Sequence, residues 1–505
     1  DTYTLVLDSV PLMCTTAKPS LSSVFAVNDY MNLVFPEMSG YDFITRTLRF
    51  EFSGWDLPAL EDLKLIPSKS KAYTPQSVCL PMLMGKGERA RPNTWKQVIL
   101  SLSKRNFAAP RINEDHDISR SADVLFKSFL NCLDDRRSSE YFEVLEPDFN
   151  KINSWLTNRD GAKYKSILAS FDGRTWQESL NNLRLMVKGD LKPKMENSGL
   201  ETYTPPSNIV YYENIVNMYF SPIFLEIYHR INYCMKSNII LYSGLNLDEL
   251  GELVKSKLKF PLNQYHYTEI DFSKFDKSQG HIIKLYEELV YKFFKFSPNL
   301  YDNFKLSEYF VKASSTAGVQ LDLFCQRRTG SPNTWLSNTL ATLAMVLTVY
   351  NIDDIDLILV SGDDSLILTR NPIPNLTDRL NVDFGMEAKY LKSPVPYFCS
   401  KFLVELNGII KIVPDPVRFF EKLSVPITMQ DRCCGTVLRE RFTSYRDLLK
   451  DYFDDNVINN VEYLTSIRYN TPSGSGYAAF AYIHCLLSSF KNFEKLFDDS
   501  SIIEI

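Results

Sequence analysis

The chain has 505 residues, 45% hydrophobic and 13% aromatic, with a formal net charge of −5. That length exceeds one compact core and asks for several subdomains. The mild acidity excludes a uniformly basic nucleic-acid coat, so any polyanion site must come from local clustering.

Nine cysteines without a CxxC pair suggest mostly buried thiols in a reduced, intracellular protein. The five scattered histidines argue against an imidazole metal site. The apolar stretch from Leu336 to Tyr350 is interrupted by Ser337, Asn338 and Thr339 and is too short to span a bilayer. No signal peptide is evident, and a chain beginning at Asp1 is expected to be cut from a longer product.

Residues 1–100 mix short apolar runs with Pro and Gly, and they are the hardest part to read. Between Lys64 and Arg111 basic residues accumulate, among them Lys96, Lys104 and Arg105. A solvated face accounts for any one of them; as a set they suggest a phosphate-binding surface. Residues 117–181 read as helical, with Leu125, Phe129 and Leu133 at helical spacing. Lys188, Lys192 and Lys194 are an even number of residues apart, so an extended segment stiffened by Pro193 would point them one way. Ammonium groups so arranged suit a triphosphate. Residues 208–232 read as a strand and then a helix, and 246–258 as an amphipathic helix. A strand from Tyr265 to Ile270 leads into Asp271. A helix from about Ser278 carries Ile282, Leu285, Leu289 and Phe293 as its core stripe.

A polar loop, Gln326 to Asn333, feeds a helix reaching about Tyr350. Thr334 and Asn338 share one face of it, and polar residues in a helix that soon turns apolar point to a ligand. Apolar runs Leu357–Val360 and Leu366–Leu368 then flank Ser361-Gly362-Asp363-Asp364, the pattern of a β-hairpin. Adjacent carboxylates at such a tip serve either a solvated turn or a hard cation such as Mg²⁺. Glu387 and Lys389 follow in 381–391. A second hairpin over 396–413 is broken by Pro414-Asp415-Pro416. The remainder reads as helical after a Thr471–Gly476 linker, ending in one helix with Phe480, Ile483, Leu487, Phe490, Phe493 and Phe497 as its apolar stripe.

If the strands of Asp271 and of the hairpin are neighbours, their carboxylates converge. Two divalent ions roughly 3.5–4 Å apart on such groups support in-line phosphoryl transfer. The ordered set resembles the palm motifs of viral RNA-dependent RNA polymerases of the alphavirus-like group. Asp271-Phe272-Ser273-Lys274-Phe275-Asp276-Lys277-Ser278-Gln279 resembles motif A. Thr329-Gly330, Thr334 and Asn338-Thr339 resemble motif B, and Ser361-Gly362-Asp363-Asp364 is similar to motif C. Lys389 resembles the motif D lysine, and Phe398-Cys399-Ser400-Lys401 resembles motif E. Lys188 to Lys194 resembles motif F, and Lys104-Arg105-Asn106 with Pro110 resembles the fingers segment where template enters. The Gln326-Arg327-Arg328-Thr329-Gly330 version is most like closteroviruses, and among them criniviruses. Tyr212-Glu213-Asn214 departs from the basic residues related plant-virus polymerases carry there, so no nucleotide contact is carried over to it.

The resemblance implies an α+β right-hand polymerase fold: 1–262 as N-terminal extension and fingers, 263–425 as palm, and 426–505 as helical thumb. The palm would be an antiparallel sheet flanked by helices, with a short fingers insertion around 295–322. It implies two Mg²⁺ or Mn²⁺ ions on Asp271 and Asp363, with Asp364 nearby, and Lys389 as an acid for pyrophosphate. Asp276, Thr334 and Asn338 would bind the nucleotide; Lys188, Lys192 and Lys194 would face triphosphate. Gly330, Lys104 and Arg105 would face template. RNA template, nascent RNA and NTPs are the implied partners. A viral methyltransferase–helicase protein is another, in membrane-associated complexes of the host cytoplasm. A reverse transcriptase, a two-metal nuclease and a non-catalytic binding protein remain as rivals. A polar Asp276 where reverse transcriptases usually place an aromatic favours RNA synthesis.

Overall fold

The computed structural model describes residues 21–36, 63–66, 77–79, 81–83, 93–103, 106, 117–188, 205–425, 427–428, 434–497 and 502–504. Lys104, Arg105, Lys192 and Lys194 lie outside the described residues.

The strongest apolar runs build the central sheet. Its strands run in the order Ala388–Ser393, His266–Phe272, Asp364–Thr369, Leu357–Ser361, Ile239–Leu241. Neighbours are antiparallel except the last pair, which is parallel. Leu357 through Val360 and Leu366 through Leu368 are fully buried. The reason is that both faces of the sheet are covered, so period-2 alternation of polar residues is lost. Ile358, Val360 and Ile367 share a core with the helices Ile118–Leu130, His281–Phe293 and Thr334–Val349. Leu357, Leu359, Leu366 and Leu368 belong instead to a core with Leu250 and Val254 of helix Leu247–Lys257, and with Leu403, Ile410 and Ile412. That helix starts on a capping box, Asn246 and Glu249. At Gly251 it lies so close to the strand Ile409–Pro414, which belongs to another sheet, that a Cβ there would sit 2.2 Å from the Ile410 carbonyl oxygen.

A second sheet runs Leu63–Leu65, Val319–Phe324, Phe310–Ser315, Asn182–Val187, Asn208–Tyr211. Strand Asn182–Val187 alternates exposed and buried residues, with Leu183, Leu185 and Val187 inward. Its parallel partner, Phe310–Ser315, comes from the segment between Asp271 and the Gln326–Asn333 loop. Chain on both sides of the Asp271 strand therefore closes one sheet.

The C-terminal part combines the strands Tyr397–Phe398, Lys401–Leu406 and Ile409–Pro414 with helices, and has its own core. Pro414 still ends a strand; the break falls at Asp415, which caps the helix Pro416–Leu423. Buried Asp415 also accepts hydrogen bonds from the hydroxyls of Tyr397, at 2.7 Å, and Tyr469. The single final helix read from the phenylalanine stripe is two, Tyr477–Leu487 and Phe490–Glu494. Ser489 is extended, and its hydroxyl accepts from the Asn492 amide at 3.2 Å, so it caps a new helix. Helix Leu21–Val34 also packs here: Val24, Val27, Tyr30 and Met31 are buried in the same core, and the Tyr30 and Phe480 rings meet edge-on at 5.2 Å.

Candidate active site

Asp364 pairs with Ser361, which leaves Gly362-Asp363 as a two-residue hairpin turn. Gly362 takes φ 63° while Asp363 stays out of the left-handed region, the Gly-first arrangement that matches strand twist. The helix Thr334–Val349 grips this turn. Thr339 Oγ1 accepts from the Gly362 amide at 2.9 Å, and Thr342 Oγ1 donates to the Gly362 carbonyl at 2.9 Å. Trp335 Nε1 donates to Ser361 Oγ at 2.9 Å. The turn backbone is thus held by side chains, while Asp363 and Asp364 are exposed.

Asp271 lies within its strand rather than after it, directly opposite Lys389 of the neighbouring strand. On its other side the ladder runs from Thr369 opposite His266 to Ile367 opposite Thr268. The Ser365 hydroxyl continues it, bonding the Ile270 amide at 3.3 Å and carbonyl at 3.2 Å. Carried past the last backbone pair, the same register sets Asp364 level with Asp271. Opposed residues share a face of a sheet, so Lys389, Asp271 and Asp364 form one row with Asp363 in the turn above it. Although Asp363 is exposed as a residue, protein packed around its carboxyl strips hydration and pushes it up to about 6, and Asp364, then Asp276 and Asp271, add to the rise. Crowded carboxylates of this kind are relieved by a cation, and their hard oxygens are the donors Mg²⁺ and Mn²⁺ take. Donor type and charge therefore fit divalent ions. Among the described residues no group of three or more His, Cys, Asp or Glu is already drawn together as a ligand set.

Asp276 sits in the short helix Phe275–Ser278 after the strand. Its Oδ1 accepts from Asn338 Nδ2 at 2.8 Å, which joins two of the expected nucleotide-binding residues across the two elements. Arg328 does not pair with Asp276; it is buried and donates to the carbonyls of Gln326, Leu323 and Glu308. The Thr334 hydroxyl donates to the Arg328 carbonyl at 2.6 Å and so fixes the preceding loop. Gly330 docks that loop on strand Asn208–Tyr211, its amide donating to the Val210 carbonyl at 2.8 Å. A Cβ on Gly330 would lie 2.4 Å from the Tyr211 Cβ. Lys188 is exposed just past strand Asn182–Val187, on the second sheet rather than in the carboxylate row. Glu213, at the departure from the family pattern, pairs with Arg174 at 3.4 Å and Arg184 at 3.3 Å.

Several residues at the site were not singled out from the sequence. Thr342 repeats Thr339 after three positions, where the helix has turned mostly apolar, a legible hint of a polar edge. Gln279 lies three residues beyond Asp276, extended just past the end of the short helix. A cleft of about 210 Å³ beside Asp364 is also lined by Glu269, Tyr397, Arg418 and Arg468. Arg468 pairs with Glu269 at 3.3 Å and its guanidinium covers the Tyr397 ring. Nothing local in the sequence links those arginines to the turn.

Comparison with known proteins identifies the family. The family described as RNA-dependent RNA polymerase matches residues 53–496. The chain is 36% identical over 493 residues to replicase polyprotein 1ab of Beet yellows virus (95% of this chain, 16% of that protein). It is 32% identical to replicase polyprotein 1ab of Grapevine leafroll-associated virus 3 (81% of this chain, 15% of that protein). Against RNA-directed RNA polymerase 2a of Cucumber mosaic virus, strain FNY, identity is 27% (92% of this chain, 53% of that protein). The chain thus spans only part of these relatives. A crystal structure of the RNA-dependent RNA polymerase of a human picorbirnavirus aligns with a TM-score of 0.49 and 10% identity, covering 81% of this chain and 86% of that one. With the family match over most of its length, and with the motifs in order on an antiparallel sheet flanked by helices, the chain belongs to the RNA-dependent RNA polymerase family, with an α+β fold and with closterovirus replicases among its relatives.

Proposed function

We propose that this chain copies an RNA template into RNA, joining NTPs by in-line nucleotidyl transfer at the Asp271–Asp364 row. The observation that carries the reading is that row, with Lys389 on one side of Asp271 and the hairpin carboxylates on the other. Asp271 and Asp363 would hold the divalent ions, with Asp364 beside them. Two bound Mg²⁺ or Mn²⁺ ions supply a lower pKa for the attacking hydroxyl and neutralise charge on the reacting phosphate. Lys389 stands one strand from Asp271, suited to give a proton to the departing pyrophosphate. Asp276 and Asn338 read the ribose 2′-hydroxyl. Lys188, Lys192 and Lys194 bind triphosphate, while Gly330, Lys104 and Arg105 lie along the template.

The relatives' name, replicase polyprotein, supports extending the proposal to a viral replicase assembly; a methyltransferase–helicase partner follows from the family resemblance alone. Membrane association in the host cytoplasm would come through that assembly. No described helix is long and apolar enough to cross a membrane.

The test is incubation of the purified chain with a primed RNA template, NTPs and Mg²⁺ or Mn²⁺. Template-dependent, metal-dependent extension is the expected result. Absence of extension from a folded chain under both metals would overturn the reading.

A further inference from the structure

The Asp276–Asn338 pair is backed by a layer that ribose reading does not itself require. Asn338 Oδ1 accepts from Gln279 Nε2 at 2.8 Å and from Arg327 Nε at 3.2 Å. Arg327 Nε also donates to Gln279 Oε1 at 3.0 Å, and its backbone amide donates to the Asp276 carbonyl at 3.1 Å. Behind Arg327 lie two carboxylates and a second cation. Its guanidinium pairs with Glu287, and with Glu308 at 3.5 Å; Lys284 pairs with Glu308 at 2.9 Å and Glu287 at 3.5 Å. Gln279, Lys284, Glu287, Glu308 and Arg327 are each at most 3% exposed. Water therefore cannot substitute for a lost partner.

An amide that selects a hydroxyl has to keep a fixed direction, yet the terminal torsion of Asn is broad. Its oxygen and nitrogen ends are also nearly the same shape, so only hydrogen bonds choose between them. Here donors crowd the Oδ1 end and an acceptor takes the Nδ2 end. Rotation of the amide would lose bonds at both. Arg327 is itself tied to the helices His281–Phe293 and Pro298–Tyr309, through Glu287 and Glu308.

We infer that Gln279 and Arg327 are positioning residues for sugar selection, holding the Asn338 amide toward Asp276 and the incoming ribose. The inference rests on the proposed ribose reading by Asp276 and Asn338. Glu287, Glu308 and Lys284 serve it indirectly, by fixing Arg327 in charge-balanced surroundings.

The experiment measures kcat/KM for ATP and for dATP in the parent, Gln279→Leu, Arg327→Lys, Asn338→Ala and the Gln279→Leu/Asn338→Ala double variant. Lysine at 327 keeps the charge beside Glu287 but lacks the Nε–H that reaches both Gln279 Oε1 and Asn338 Oδ1. Asn338→Ala should lower the ATP-to-dATP ratio by about a hundredfold or more. Gln279→Leu and Arg327→Lys should each lower it by roughly tenfold, chiefly through ATP. On the Asn338→Ala background, Gln279→Leu should change the ratio by less than about twofold, because it acts through Asn338. An unchanged ratio in Asn338→Ala sinks ribose reading, and this inference with it. A ratio that collapses in Asn338→Ala but holds in Gln279→Leu and Arg327→Lys sinks the positioning role alone. So does an undiminished effect of Gln279→Leu in the double variant. If Gln279→Leu does not fold, Gln279→Glu gives the same readout, since it keeps the acceptor for Arg327 and loses the donor to Asn338.

Discussion

Asp363 is the residue where charge and position bear most directly on the proposed chemistry. Its carboxyl is pushed up to about 6 by lost hydration and by its acidic neighbours. Asp363→Asn keeps the shape and removes the charge. Elongation should then fall by roughly a thousandfold, ~4 kcal/mol in the barrier, with the fold intact by circular dichroism. Near-normal elongation would remove Asp363 from the proposed metal site. Lys389 separates two roles that look alike in position. As an acid, its loss in Lys389→Leu should slow single-turnover incorporation while leaving apparent NTP affinity within about threefold. A change confined to affinity would make it a binding residue. The pairing of Lys389 with Asp271 could not be read from the sequence, because a strand's residues do not name their partner strand. The candidates themselves were legible, because carboxylates between apolar runs need a reason to be there.

At the scale of elements, the hairpin is coupled to the helix Thr334–Val349 through Gly362. Thr339 and Thr342 are both buried, so their hydroxyls meet the turn without competition from water. Thr339→Val preserves shape but strands the Gly362 amide. It should cost about 1–3 kcal/mol in a denaturant melt and slow elongation without abolishing metal dependence. An unchanged melt would mean the clamp carries no energy. Gly330→Ala tests a different junction. Its new methyl would meet Tyr211, so the loop must leave strand Asn208–Tyr211, for about 1–3 kcal/mol. Wild-type stability would show that the loop yields freely. Element types were largely legible here because long apolar stretches and their caps announce themselves. The split of the last helix was not. The phenylalanine spacing runs straight through Ser488-Ser489, and only tertiary packing decides that Ser489 leaves the helical region.

Across the whole molecule, the cores are built from distant parts of the chain. The segment holding Phe310–Ser315 completes a sheet begun at Asn182–Val187, and helix Leu21–Val34 completes the C-terminal core. Such pairings leave no trace in local periodicity, which is why residues 1–100 resisted reading. Phe480 is fully buried against Tyr30 and Phe420. Phe480→Ala should cost about 3–5 kcal/mol and expose helix Leu21–Val34 to limited proteolysis. Protection equal to the parent would show that the helix is held by other contacts.

The meeting of Tyr30 with Phe480 also sets a clock. The two residues are 450 positions apart in the chain. A ribosome adding about 5–20 residues per second separates their emergence by roughly 20–90 s. For that interval the apolar side of helix Leu21–Val34 lacks the helix Tyr477–Leu487 that completes its cover. Its burial is therefore a late step of biosynthesis, and the newborn chain must be shielded from aggregation until residue 480 has left the ribosome.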